Sequence, residues 1–248
     1  MAKIAEILGK SEAEFYRNTA DSMKTAIQTA LICDGKLCSK NMGAYVLMIA
    51  FDLVPDHCKE HFAQALVSLL EQNHGCLDTG FLATPFLLDA FVKIGRRDLA
   101  VRLLWQTRMP SWLYEVEQGA TSIWESWDAI LPDAEPNVTS YNHYAFGCVD
   151  AWIFENIAGV RALEPGFRRI EICPEPDGLP LDFCRRSFRS EYGLIRVFWD
   201  HNSLRVSIPC GVTAKVCWKG VTTCIGSGDY VFGTDDLERK EFQDEGTR

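Results

Sequence analysis

The spacing of apolar residues changes once along this chain, close to residues 163–166. Before this point, apolar residues recur every three or four positions, which is the period of helices buried on one side. Beyond it, apolar and polar residues alternate, which is the period of β-strands. Pro165 and Gly166 lie at the change and favour the end of regular elements. We therefore predict a helical domain over residues 1–162 and a small antiparallel β domain over residues 163–248.

The predicted helices follow one another with short links, which indicates an array of helical hairpins. They span residues 11–31, 41–53, 56–73, 81–94, 97–107 and 143–159. Ser11 and Glu14 have the pattern of a capping box, in which each side chain satisfies a backbone donor of the first turn. The segments after Gly75 and over residues 109–142 are longer and rich in polar and aromatic residues. Loops of this kind on a rigid scaffold often carry functional sites.

Alternating runs in the second part predict antiparallel β-strands. Residues 194–198 and 204–208 alternate in polarity, and residues 200–203, DHNS, have the composition of the turn between them. Residues 214–218 and 229–232 continue the pattern. The last residues, 235–248, are highly charged, and we expect them to be frayed.

Composition excludes several classes of protein. The formal net charge is -9 and Lys and Arg form no block, whereas a nucleic-acid-binding protein normally has a basic stripe. No run approaches the ~18 apolar residues of a membrane span, and the N-terminal sequence MAKIAEILGKSEAEF lacks the apolar core of a secretion signal. The 10 cysteines are irregularly spaced and include no Cys-x-x-Cys pair. We therefore expect reduced thiols and a cytoplasmic setting.

The strongest chemical signal lies at residues 119–128, GATSIWESWD, which place Glu125 between Trp124 and Trp127. Five of the seven tryptophans of the chain fall between residues 105 and 152. Aromatic faces stack on the C–H faces of sugars, and carboxylates bind hydroxyl groups or activate water. This combination favours a saccharide cleft. An ordinary aromatic core with a solvated glutamate explains the same composition about equally well.

Two histidine-containing segments are further candidates. Residues 141–144, YNHY, follow the tryptophan-rich segment closely. A lone histidine such as His143 is more often a structural residue than a catalyst, although this position favours function. His57 and His61 share a helix face and have the spacing of metal ligands, but no acidic or cysteine partner accompanies them at ligand spacing. The sequence contains no nucleophile elbow, Walker loop or dinucleotide fingerprint.

Together these motifs resemble those of bacterial α-L-rhamnosidases. The usual family form is GATTxWERWD followed by NHYAFG, and this chain has GATSIWESWD at 119–128 and NHYAFG at 142–147. Further matching segments occur in the expected order at 44–47 (AYVL), 51–55 (FDLVP), 77–81 (LDTGF), 98–100 (DLA) and 110–112 (PSW). Beyond PGF at 165–167, the β region is similar to the C-terminal β domain of the family. The resemblance covers nearly the whole chain.

The resemblance implies part of an α/α barrel with an appended β-sandwich, and hydrolysis of terminal α-linked L-rhamnose with inversion. An inverting glycosidase uses one carboxylic acid to protonate the leaving oxygen and one carboxylate to activate water, roughly 6.5–9.5 Å away. Glu125 matches the general base of the family, and His143 matches a position that contacts the sugar or assists near the water. The other implied substrate-binding residues are Asp78, Trp112, Trp124, Trp127, Asp128 and Asn142. Rhamnose-containing oligosaccharides or glycosides are the implied substrates, and neither a cofactor nor a metal is implied.

The chain departs from the family pattern in ways that bear on activity. Ser126 stands where the family usually has arginine, and Ser122 where it often has threonine. The family's general acid lies in an upstream Asp- and Arg-rich motif that has no counterpart in this sequence, and only about half of the barrel helices are present. Residues 41–53 and 143–159 are apolar almost all round. We therefore expect helices from another copy, another chain or a longer natural protein to cover them.

Three interpretations stay open at this point. The chain is a partial catalytic unit of a rhamnosidase, a non-catalytic or sugar-binding fragment of such an enzyme, or an α/α-barrel glycosidase of another specificity. The first two share the fold and differ in turnover. The third predicts that a sugar other than L-rhamnose binds best.

Overall fold

The computed structural model describes residues 1–233 and 237–238. Contacts between residues divide the chain into two compact units, Met1–Cys148 and Val149–Arg248. The predicted frayed tail lies outside the described residues, apart from residues 237–238. The predicted domain boundary at residue 162 stays a prediction. Within the described ranges, no helix is long and apolar enough to cross a membrane.

The first unit consists of helical hairpins with short links. Its helices are α1 (Ala2–Ile7), α2 (Ala13–Leu31), α3 (Met42–Ala50), α4 (Lys59–Gln72), α5 (Thr84–Lys93), α6 (Arg97–Leu104) and α7 (Trp112–Glu117). A short antiparallel ladder, β1 (Ile32–Cys33) with β2 (Lys36–Leu37), connects α2 to α3. Helix α1 packs on α2, α3 packs on α4 and α5, and α5 packs on α6. The predicted hairpin array is therefore confirmed.

Helix α3 provides much of the core of this unit. Asn41 caps its start, because the Asn41 Oδ1 atom accepts the backbone N–H of Ala44 at 3.2 Å. Most of its side chains are buried, and Phe62 of α4 and Phe91 of α5 are fully buried beside them. Burial of a side chain of this size contributes about 1.5–3 kcal/mol. The expectation that this helix exposes a large apolar face is therefore wrong, since its neighbours within the unit cover it.

Helices α1 and α2 instead carry a group of exposed apolar side chains. No residue of α2 is buried along its 19 residues, and Phe15 and Met23 are 66% and 60% exposed. On α1, Ile4 and Ile7 are 54% and 65% exposed. Solvent-facing apolar side chains grouped in this way usually mark an interaction surface.

The capping box predicted at the start of α2 is wrong. The helix begins at Ala13 with Glu12 as its N-cap, and no side chain bonds the first turn. Ser11 therefore lies one residue before the cap, where its hydroxyl donates to Glu12 Oε2 at 3.1 Å instead of accepting from the backbone. Helix α2 is held by its own ladder and by α1 rather than by a polar cap.

The helix predicted over residues 143–159 begins and ends two residues inside those bounds, and it is not α-helical throughout. Residues Ala145–Cys148 form a 3₁₀ turn at the end of the first unit. The second unit begins with α8 (Val149–Trp152), which passes into a π-helical turn, Ile153–Ile157. The ring of His143 lies just before the helical run, where its Nδ1 atom accepts the N–H of Ala145 at 3.2 Å. The first amides of a helix have no acceptor within it, and this bond satisfies one of them.

Gly159 ends the π-helical turn at a close approach of two backbone segments. Its φ is 78°, in the left-handed region that favours glycine. A Cβ atom at this position would lie 2.3 Å from the backbone nitrogen of Pro174. No residue other than glycine fits there without movement of the backbone.

The remainder of the second unit is two β-sheets. The strands are β3 (Val160–Ala162), β4 (Arg169–Ile172), β5 (Phe183–Ser190), β6 (Gly193–Asp200), β7 (Leu204–Ile208), β8 (Thr213–Trp218), β9 (Val221–Ile225), β10 (Gly228–Phe232) and β11 (Leu237–Glu238). Their order is β11-β10-β7-β6-β5 in one sheet and β3-β4-β8-β9 in the other. The pairs are antiparallel, as predicted, except that β4 and β8 are parallel.

The β6–β7 connection confirms the predicted turn at residues 200–203. The Asp200 Oδ1 atom accepts the backbone N–H groups of Asn202 at 2.8 Å and Ser203 at 2.7 Å. These two bonds close a compact turn between the strands. On the inner face of β6, the fully buried Trp199 donates its indole N–H to the carbonyl of Ile157 at 2.8 Å.

Candidate active site

Two loop segments of the first unit lie side by side and bring the two sequence motifs together. The N–H of Glu125 donates to Ser140 O at 2.9 Å, and the N–H of His143 donates to Ile123 O at 2.8 Å. The Ser122 hydroxyl adds a bond to the carbonyl of the second segment, at residue 141. Glu125 and His143, eighteen positions apart in the sequence, are therefore held on adjoining backbone segments.

The carboxylate of Glu125 is stabilised by neutral donors. Its Oε2 atom accepts the backbone N–H of Ser140 at 2.9 Å and the hydroxyl of Thr139 at 3.1 Å. The Ser140 N–H, the Thr139 hydroxyl and the nearby His143 together lower the pKa of Glu125 below its usual value. The side chain is partly exposed. An ionised, accessible carboxylate of this kind is suited to accept a proton from water.

His143 has one nitrogen fixed by the backbone. Its Nδ1 atom accepts the N–H of Ala145, so the neutral ring carries its proton on Nε2. The ring stacks on Phe81, with centroids 4.8 Å apart and planes at 11°. Tyr144 stacks on it at 5.4 Å. These contacts set the orientation of the imidazole and leave Nε2 as the nitrogen able to donate.

An aromatic cluster supports this side of the site. Trp127 stacks on Phe146 at 3.9 Å and meets Trp112 edge to face at 5.4 Å. The indole N–H of Trp112 donates to Phe146 O at 2.9 Å, and that of Trp127 donates to Thr79 O at 3.0 Å. Both tryptophans are therefore fixed in position as well as in plane.

A cleft of about 690 Å³ opens beside this cluster. Its lining includes Asp78, Phe81 and Trp127, together with Asn41 at the start of α3 and Leu82. Asp78, Phe81 and Leu82 are exposed and Trp127 is partly exposed. Glu125 and His143 are not part of this lining, but Phe81 links the cleft to His143 through their stacked rings. The cleft offers a carboxylate and aromatic faces, which are the groups that bind sugars.

The other predicted site residues fall into two groups. Trp112 and Trp124 are buried, at 5% and 3% exposed, so they can shape a site only through packing. Asp128 and Asn142 are exposed, and the backbone N–H of Asn142 donates to Ser140 Oγ at 3.3 Å. Their roles in substrate binding stay predictions.

Sequence analysis missed Glu115, a buried acid on α7. It is 2% exposed, and its Oε2 atom accepts the backbone N–H of Trp124 at 3.2 Å. Burial raises the pKa of Glu115 to about 7, and the hydrogen bond from Trp124 opposes this rise. Its spacing of three residues from Trp112 was the available signal, because residues three apart share one face of a helix.

His57 and His61, considered above as a metal-binding pair, have no third metal ligand beside them among the described residues. In the described part of the chain, no group of three or more His, Cys, Asp or Glu side chains is placed to hold a metal ion. His57 lies in a short 3₁₀ turn, Asp56–Cys58, and His61 lies in α4.

Comparison with protein families gives two adjoining matches. Residues 1–157 match the family described as the bacterial alpha-L-rhamnosidase 6 hairpin glycosidase domain. Residues 159–227 match the bacterial alpha-L-rhamnosidase C-terminal domain. This chain belongs to the bacterial α-L-rhamnosidase family.

Individual α-L-rhamnosidases are similar over most of the chain. An α-L-rhamnosidase of Streptomyces avermitilis is 39% identical over 223 residues, which are 87% of this chain and 22% of that protein. The crystal structure of S. avermitilis α-L-rhamnosidase complexed with L-rhamnose superposes with a TM-score of 0.87 at 34% identity, over 93% of this chain and 25% of the other. The native enzyme of Aspergillus terreus gives a TM-score of 0.88 at 32% identity, over 96% and 29%. The chain thus spans about a quarter of the length of these relatives.

The two departures from the α-L-rhamnosidase motif have local structural consequences. The hydroxyl of Ser126, at the usual arginine position, donates to Asp128 Oδ1. The carboxylate of Asp128 is therefore bonded to a neutral group and has no guanidinium beside it at residue 126. Ser122 donates its hydroxyl to the carbonyl of Tyr141 at 2.5 Å. A threonine has the same hydroxyl, so this departure preserves the bond between the two loops.

Proposed function

We propose that this chain supplies the water-activating part of an inverting α-L-rhamnosidase active site, with Glu125 as the general base. The observation that carries the proposal is the pair of donors, Ser140 N–H and Thr139 Oγ, on the Glu125 carboxylate. They favour its ionised form and hold it in one orientation on the loop beside His143, and a base must be ionised before it can accept a proton. In the reaction, water loses a proton to Glu125 and attacks the anomeric carbon. The bond to the leaving oxygen breaks as that oxygen gains a proton from an acid.

The proposed acid is a carboxyl group outside these residues. Inversion requires it roughly 6.5–9.5 Å from the base, on the other face of the sugar. Glu115 does not meet this need, because its side chain is 2% exposed and bonded to the backbone of Trp124. The match over about a quarter of the relatives' length supports a proposal that the acid belongs to another part of a longer protein or to a partner chain.

The proposed substrate is a glycoside or oligosaccharide that ends in α-linked L-rhamnose. In this proposal, the cleft beside Trp127 receives the sugar, with Asp78 binding hydroxyl groups and the aromatic faces packing on C–H groups. His143 donates from Nε2 to the sugar or the attacking water, and Asp128 and Asn142 complete the binding. The S. avermitilis relative, crystallised with L-rhamnose, supports this choice of sugar.

We propose that the exposed apolar side chains of α1 and α2 are covered by helices of a longer protein or by a second copy of the chain. Phe15 and Met23, both more than half exposed, carry this proposal. Sedimentation that shows a compact monomer of the isolated chain, without a tendency to associate, contradicts it. A cytoplasmic setting is also a proposal, supported by the irregular spacing of the cysteines.

The test of function is hydrolysis of an aryl α-L-rhamnoside, whose good leaving group needs little help from an acid. We expect the native chain to turn it over and Glu125→Gln to lose roughly 10²–10⁴-fold in kcat, the usual contribution of a general base. Glu117→Gln is the matched control, because Glu117 is exposed and the change of charge is the same. Equal turnover by all three proteins contradicts the role of Glu125.

A second candidate function is a non-catalytic, sugar-binding part of such an enzyme. The observation that favours it is that the chain matches only 22% of the length of the S. avermitilis relative. Binding of L-rhamnose without turnover, measured by calorimetry on the same three proteins, supports this alternative. Preferential binding of another sugar would point instead to an α/α-barrel glycosidase of different specificity.

A further inference from the structure

Glu115 is a buried acid whose charge has no partner. The residue is 2% exposed, and its Oε1 atom has no hydrogen-bond partner among the described residues. Buried polar atoms are almost always bonded, so such an atom calls for an explanation. A carboxylate in this position loses its hydration without gaining a cation, which strongly favours the neutral acid.

The bonded oxygen of Glu115 holds the segment that carries the proposed base. Glu115 Oε2 accepts the N–H of Trp124 at 3.2 Å, and Trp124 directly precedes Glu125. The flanking groups of this segment bond the other loop, through Glu125 N–H to Ser140 O and His143 N–H to Ile123 O. Glu115 therefore bonds the segment around Trp124 to helix α7, while the other two bonds join that segment to the second loop.

The titratable side chains nearest this contact in the sequence and in the paired loops form no charge interaction with Glu115. Tyr114 and Glu117 lie on α7 itself, the former donating to Ile130 O and the latter exposed. Glu125, Tyr141 and His143 lie on the paired loops. None of these is an ion-pair partner of Glu115, and the described residues place no lysine or arginine against it. Burial therefore raises the pKa of Glu115 to about 7, close to the pH at which the protein is expected to work.

We propose that Glu115 is a pH-sensitive positioning residue: while neutral, its buried carboxyl group holds the backbone of Trp124, and with it Glu125. Ionisation strengthens the bond from the Trp124 N–H, but the cost of burying the charge is larger, so the ionised side chain moves to solvent and releases that backbone. The link to catalysis rests on the proposed function, whereas the link to loop order does not. On ionisation, Glu115 releases its proton to solvent, and no proton passes between Glu115 and the substrate. The expected consequence is a site that loosens on the alkaline side of neutrality.

Glu115→Gln tests the proposal, because an amide has the size of the neutral acid and cannot ionise. The measurement is amide hydrogen exchange of peptides that cover residues 121–127, at pH 6 and pH 8, each compared with the variant at the same pH. For an acid with a pKa of about 7 in the closed loop and 4.5 when released, the native-to-variant ratio of exchange rates should rise on the order of tenfold between the two pH values. Glu117→Gln, on the exposed face of α7, should follow the native chain at both.

A native-to-variant ratio of exchange rates that is the same at pH 6 and pH 8 overturns the proposal. It is also overturned if the ratio changes as much when Glu117→Gln is the variant as when Glu115→Gln is. Turnover of the aryl α-L-rhamnoside gives the second readout. The native kcat should fall above pH 7, while Glu115→Gln should keep its activity to higher pH. If the native chain has no turnover at any pH, the proposed function fails, and the exchange data still decide the role of Glu115. If the native chain and Glu115→Gln are both active and their kcat falls over the same alkaline pH range, the positioning role of Glu115 is contradicted.

Discussion

Glu115 bonds to the short segment of chain that carries Glu125, and the two acids have opposite surroundings. Glu125 lies on the loop side, partly exposed, with its carboxylate bonded to a backbone N–H and a hydroxyl. Glu115 lies on the α7 side, buried, with one oxygen bonded and the other without a partner among the described residues. The first environment, which includes the nearby His143, lowers the pKa, and the second raises it. Two acids ten residues apart thus have pKa values shifted in opposite directions by their surroundings.

The largest expected effect on stability tests the buried side of this comparison. The folded pKa of Glu115, about 7, lies above the ordinary value of 4.5, so its contribution to stability is complete below pH 4.5 and is lost as the pH rises to 7. Glu115→Gln removes this loss. We therefore expect the difference in free energy of unfolding, variant minus native, to increase between pH 4.5 and pH 7. The increase should be at most about 3 kcal/mol, since one pKa unit corresponds to about 1.4 kcal/mol. Chemical denaturation at several pH values measures it.

The control for that measurement is Glu125→Gln. Its carboxylate is accessible, so we expect its unfolding curves to stay close to those of the native protein at neutral pH. A change at Glu125 as large as that at Glu115 would mean that the two environments are not distinct.

A smaller effect is expected from Glu115→Ala at pH 5, where the native side chain is neutral. This variant leaves the buried N–H of Trp124 without an acceptor and opens a small cavity. The expected loss is about 1–3 kcal/mol in the free energy of unfolding. Thermal or chemical denaturation at that pH measures it, with Glu117→Ala as the exposed control. A loss no larger than that of the control would show that the Trp124 contact contributes nothing.

The smallest effect tests the exposed side. Thr139→Val removes one donor from the Glu125 carboxylate and leaves the Ser140 N–H in place. The pKa of Glu125 should therefore rise toward its ordinary value, and the acid limb of the kcat profile should move to higher pH. Thr121→Val, at an exposed position on the loop segment that carries Glu125, is the matched control. An acid limb that moves to lower pH would contradict the assigned hydrogen bond.

The sequence predicted those features that depend on local pattern. The helical hairpins and the β6–β7 hairpin follow from apolar periodicity and turn composition, and the structure confirms them. The motif around Glu125 and His143 was also visible, because its residues are close together in the sequence. The bonds that join residue 125 to residue 140, and residue 143 to residue 123, depend on how two loops meet, which no local pattern encodes.

The failed predictions concern the bounds of helices and the burial of one side chain. The helix predicted over residues 143–159 begins only at Ala145, whose amide bonds to the His143 ring, and it becomes a π-helical turn at Ile153. The capping box at Ser11 fails because the helix starts at Ala13. Glu115 was overlooked because a charged residue on a helix is normally solvated, and only tertiary packing buries it.

The donors around Glu125 have a consequence for the ionic strength at which such a site can operate. Its oxygen is stabilised by a peptide dipole and a hydroxyl at 2.9 and 3.1 Å, and no arginine stands at position 126. Dissolved salt screens interactions between exposed full charges over about 8–10 Å, but it has little influence on a short bond to a neutral donor. The stabilisation that these two bonds give the Glu125 carboxylate should therefore vary little between dilute buffer and brine, and only the contribution of the His143 charge should be screened.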